Sequence, residues 1–119
     1  MKRILWAGAL MAALGTAPAA LAQDAAVAAD VRCIAIAGLA AGQAPAEQQG
    51  QIVAGMMYFL GKLDARAPNL DIAAAIRLQL VGLQANGQAE AQRCAAEVSG
   101  RGRALQDIGQ KLAQSPAKP

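Results

Sequence analysis

The residue types that carry most protein chemistry are scarce in this chain. It has no histidine, which removes the commonest general base, the usual catalytic triads and most zinc sites. Ser99 and Ser115 are the only serines, and neither has an obvious base beside it. The glycines are spread along apolar stretches and build no phosphate-cradling loop. Cys33 and Cys94 stand too far apart for a CxxC redox pair or a metal cluster. Carboxylates remain. Asp64 and Asp71 flank the turn at Pro68 and could approach one another as an acid–base pair, although a solvated turn with helix caps uses the same residues. Beside them, Lys62, Asp64 and Arg66 form a charged cluster. Basic residues at the end of a helix suit its dipole, and the same cluster is a candidate contact patch for a partner. The adjoining Met56-Met57-Tyr58-Phe59 reads as core, with an exposed, adaptable binding groove as the alternative. Met56, Met57, Phe59, Lys62, Asp64 and Arg66 are therefore the candidate partner-binding residues. No catalytic residue, cofactor or metal is expected.

The N-terminus reads as a targeting segment. Lys2 and Arg3 precede an uncharged apolar run from Ile4 to Leu14, and Ala20-Leu21-Ala22 fits the small-x-small pattern of a signal peptidase site. Cleavage is expected between Ala22 and Gln23, making residues 1–22 a signal peptide. The apolar run is too short to span a bilayer, so no stable membrane insertion is expected after cleavage. Without Lys2 and Arg3 the 11 basic residues become nine against 8 acidic ones, a net charge of +1. That balance gives no footing for nucleic acid. Two cysteines in an exported chain point to one disulfide, Cys33–Cys94. Export by this route predicts a periplasmic, or more broadly secreted, protein.

The elements that position these residues read as helices. After the signal, residues 23–114 form a single domain, and 115–119 a disordered tail. Val27, Val31, Ile34 and Leu39 recur at near-helical spacing, giving a first helix over about 26–41. Pro45 suits the start of a second, over 46–66, whose densely apolar Ile52–Arg66 is the expected centre of the fold. Gly50, Gly55 and Gly61 within it suggest close approach by other helices. Ile72, Ile76, Leu80 and Leu83 place a third helix over 70–85, with Asn69 or Asp71 as its cap and Asn86-Gly87 as its stop. Cys94, Val98, Leu105, Ile108 and Leu112 continue at spacings of three and four over 88–114, with Arg101 on the stripe and a possible break near Ser99. No alternation supports a strand. The expected fold is an all-α, four-helix domain closed by one disulfide.

The export signal, Cys33, Cys94 and the helical pattern together resemble the periplasmic acid-stress chaperones of the HdeA/HdeB type, although the cysteines here stand further apart. Tyr58–Arg66 (YFLGKLDAR) and RCAAEV from Arg93, followed by Leu105 and Ile108-Gly109, also resemble a group of uncharacterised small exported proteins of alphaproteobacteria. The chaperone resemblance implies a fold that is closed at neutral pH, loosens in acid and covers aggregating polypeptides. Protonating all eight carboxylates would raise the side-chain charge of the mature chain from +1 to +9. Without histidine, any switch lies below about pH 5. The expectation is a non-enzymatic protein with a polypeptide partner. A dedicated inhibitor or immunity-type partner of one exported enzyme or toxin is the alternative.

Overall fold

In the computed structural model, which describes residues 17–115, with side chains from Ala25 onward, the chain forms three helices. They are α1 (Ala17–Gln43), α2 (Ala46–Arg66) and α3 (Ile72–Gln114). No strand occurs among the described residues. Residues 1–16, the greater part of the expected signal peptide, lie outside the described residues. So does 116–119 of the expected tail. The expected cleavage point falls within the backbone of α1.

The connections follow from local chemistry. Between α1 and α2 only Ala44 and Pro45 are non-helical. Pro45 takes an extended conformation at φ −62°, ψ 155°, and its carbonyl accepts from the Gln48 N–H. Proline suits this place because the first N–H groups of a helix lack intrahelical acceptors anyway. At the other end of α2, Ala67 precedes Pro68, and that pairing disfavours helical backbone. Asp71 then caps α3 by accepting from the Ala74 N–H at 3.0 Å.

Three helices rather than four is a correction, and its cause lies at Asn86-Gly87. The pair does not end the helix: Gly87 has helical backbone, and no glycine among the described residues has positive φ. A glycine stop works by adopting a left-handed conformation after the last turn. Left helical, it costs only about 1 kcal/mol relative to alanine. Tertiary contact outweighs that here. Arg32 of α1 reaches Gln79 at 3.2 Å and Glu90 at 3.4 Å, so α3 engages α1 on both sides of the glycine. Nor does α3 break at Ser99.

The centre of the fold also differs from expectation. It is α1, not α2, that packs along both other helices, while α2 and α3 meet mainly through side chains. The reason is that α1 is rich in alanine and presents apolar or small residues around much of its surface. Val31, Cys33, Ile34 and Ala35 are buried, together with Phe59 and Leu63 of α2 and Leu83 and Cys94 of α3. By length and composition Ala25–Gln43 could cross a membrane. In this fold it is the shared core helix, with Asp30 and Arg32 ion-paired to its neighbours. The glycines of α2 do not mark close approach. A methyl group added at Gly50 or Gly61 meets nothing within 4 Å, and one at Gly55 only touches Val98 at 3.9 Å.

Candidate functional site

Among the described residues Asp30 is the one buried charged side chain. It is 1% exposed and lies in the middle of α1. A buried carboxylate is tolerated only when paired and hydrogen-bonded. Both of its oxygens are held from α2: Lys62 Nζ donates to Oδ1 and Arg66 Nη1 to Oδ2, each at 2.7 Å. Lys62 and Arg66 lie one helical turn apart, so both reach the same face. Lys62 also donates to Glu97 of α3, which accepts from the Tyr58 hydroxyl at 3.1 Å. Arg93 approaches Glu97 at 3.6 Å and holds Glu90 at 2.8 Å; Glu90 in turn faces Arg32. The result is a chain of alternating charge across all three helices.

The geometry sets the protonation. Burial alone would lower Lys62, but its hydrogen bonds to Asp30 and Glu97 outweigh that and raise it above the ordinary 10.5. Glu97 is lowered below 4.5, first by its hydrogen bond from Lys62, with burial opposing and Tyr58 assisting. For Glu90, burial pushes upward, yet the hydrogen bonds from Arg93 and then Arg32 bring it below 4.5. All three groups are therefore charged at neutral pH.

Beside this network lies the disulfide. Cys33 and Cys94 are bonded, with Cα atoms 5.6 Å apart, joining α1 to α3. Arg93 Nη2 lies 3.1 Å from Cys33 Sγ, 3.6 Å from Cys94 Sγ and 2.9 Å from the Ala29 carbonyl. Both cysteines also line an open groove of about 290 Å³ between the helices. Its walls are chiefly apolar, among them Ile36, Ala40, Ile52, Gly55 and Val98, with Gln51 and Ser99 as polar members.

Beyond the groove α3 leaves its neighbours. Every residue from Arg101 to Ser115 is exposed. Leu105, Ile108 and Leu112 are 62%, 52% and 69% exposed, and their spacing places them on one helical face.

The residues singled out from the sequence have divergent fates. Phe59 is core, Met56 is half-buried and Met57 is exposed. Lys62 and Arg66 serve Asp30. Asp64 is exposed and has no hydrogen bond or ion pair among the described residues. Asp71 is a cap. Ser99 makes no side-chain hydrogen bond among the described residues, where no group of three or more potential metal ligands occurs either. Asp30, Glu90, Arg93 and Glu97 were not marked by motif. A signal for Asp30 existed: it lies three residues after Val27 and four before Ile34, on the apolar stripe itself. Comparison of the chain with protein-family models, curated proteins and solved structures gives no match.

Proposed function

We propose that this is an exported, non-enzymatic helical protein that binds other polypeptides, and that it acts as an acid-stress chaperone after loss of residues 1–22. The observation that carries the reading is the uncovered apolar face of α3 at Leu105, Ile108 and Leu112. Three large aliphatic side chains aligned on a projecting helix suit contact with unfolded chains, which offer apolar side chains without a fixed shape. The charge network supports acid control. Asp30, Glu90 and Glu97 hold Arg32, Lys62, Arg66 and Arg93 together. Protonating Glu90 and Glu97 removes two of the three counter-charges, and repulsion among the four neighbouring cations loosens the helices. The disulfide then keeps α1 and α3 tethered, so Phe59 and Leu63 come within reach of a client without full unfolding.

The test is an acid titration of the oxidised mature chain, following helicity, hydrophobic-dye binding and suppression of client aggregation. Reversible loosening and client protection are expected together, below about pH 4.5, because Glu90 and Glu97 are held under that value. Opening without protection at any pH would discard the chaperone reading and leave a dedicated partner, recovered by periplasmic crosslinking as a single tight complex, as the better account.

A further inference from the structure

We infer that the Cys33–Cys94 disulfide is a site of thiol exchange, in which a small thiol entering the groove attacks Cys94 and Cys33 departs as a thiolate held by Arg93. This goes beyond polypeptide binding and does not depend on it.

Three observations converge. The first is access. Both sulfur-bearing residues line the open groove, and Cys94 is the more exposed of the two, at 6% against 1%. Both residues are otherwise buried in the core, so the groove is the route by which a small thiol would reach the bond. The second is the guanidinium. Arg93 Nη2 is nearer to Cys33 Sγ, at 3.1 Å, than to Cys94 Sγ, at 3.6 Å. A cation in contact with one sulfur favours its thiolate and makes it the better leaving group. The third is charge balance. Four cations, Arg32, Lys62, Arg66 and Arg93, are linked to three carboxylates, Asp30, Glu90 and Glu97. Among the described residues these ion pairs hold one more cation than carboxylates, so a Cys33 thiolate would add its charge to a cluster that is net positive.

The step balances without an external oxidant. The thiolate sulfur forms a bond to Cys94 Sγ, the Cys33–Cys94 bond breaks, and its electron pair leaves on Cys33 Sγ. The products are a mixed disulfide on Cys94 and a Cys33 thiolate paired with Arg93. The reverse attack by Cys33 on Cys94 Sγ expels the small thiol and restores the original bond.

The oxidised full chain is incubated with glutathione under native conditions and quenched with iodoacetamide, and the modified residues are located by peptide mass analysis. Glutathione is expected on Cys94 and the alkyl label on Cys33. Arg93→Gln should slow the exchange about fivefold to tenfold, while Arg93→Lys retains most of the rate. Glutathione on Cys33, or on both cysteines equally, overturns the inference. So does an exchange rate that follows global unfolding as denaturant is added. If Arg93→Gln does not fold, the wild-type chain still decides. In the reduced protein Cys33 should be alkylated at a pH roughly one unit or more below Cys94, and coincident profiles would count against the proposal.

Discussion

The two parts of α3 follow one pattern and meet different fates. Up to Val98 one stripe is covered: Leu83 and Cys94 are buried, and Ile76 and Val98 pack against the core, while Leu78 and Val81 on the outer side stay exposed. From Arg101 onward the same spacing of three and four continues through Leu105, Ile108 and Leu112, yet nothing among the described residues covers it. Periodicity reports that a helix has an apolar face. It does not report whether the chain supplies something to lie against that face. The inner part is anchored by a disulfide and an ion-pair network, whereas the outer part is held by its own backbone hydrogen bonds and by continuity with the anchored turns. Short helices alone are marginal in water, so the outer part depends on the inner.

The largest way to break this contrast is to remove the staple. Replacing Cys33 and Cys94 by serine opens a loop whose ends are 61 positions apart, and the loop-closure relation gives a loss of about 4 kcal/mol. For a small domain that is a large share of net stability. Denaturant unfolding of the double variant should show it as a lowered midpoint. An unchanged midpoint would mean that the ion-pair network alone fixes α3 on α1.

Next comes Lys62. Its side chain is 23% exposed and bridges Asp30 to Glu97, hence α1 to α3 by way of α2. Lys62→Ala leaves buried Asp30 with Arg66 alone. Breaking a buried pair from one side costs about 3–5 kcal/mol; with Arg66 still in place, a loss of about 2 kcal/mol is expected by chemical denaturation, concentrated in the inner bundle.

Acid sharpens the same point. Glu90 and Glu97 have folded pKa values below 4.5. Their contribution to stability is fully present above the unfolded value and is lost as pH falls through the folded ones. Lys62 is raised above 10.5, so its contribution is complete below that value and disappears only as pH rises through the folded one. Neutral pH lies inside both limits, and stability should fall on the acid side below about pH 4.5. In Lys62→Ala, Glu97 titrates closer to its unfolded value, so the acid limb should become shallower. An acid limb of equal steepness in the two proteins would show that Glu97 is not coupled to Lys62.

Helicity and the disulfide were legible in the sequence because both rest on local or countable signals: spacing, proline and Asp71 at helix starts, and an even pair of cysteines. The network was not. Asp30 lies on the apolar stripe of its own helix, and only the placement of Lys62 and Arg66 against it makes it a paired, buried carboxylate. Lys62 and Arg66 read as helix-end cations or a contact patch until Asp30 is placed between them. The same limit applies to Asn86-Gly87, where contacts between Arg32 and both flanks of the glycine decide the outcome. In each case the deciding partner lies on another helix, and single-element patterns carry no information about it.

The smallest expected effect on stability falls on the outer part of α3, and it separates a structural surface from a functional one. Leu105, Ile108 and Leu112 are more than half exposed, so changing all three to serine removes little buried apolar area and should shift global stability by no more than about 0.5 kcal/mol per site. If the face exists to contact polypeptides, client protection should fall sharply while the unfolding midpoint barely moves. Amide exchange supplies the companion readout. Opening free energies should decline along α3 from the turn around Cys94 toward Gln114, because only the inner turns are tied to the core. Uniform protection along the whole helix would mean that the outer face is covered in solution, and the contrast between the two parts would then belong to the isolated chain alone.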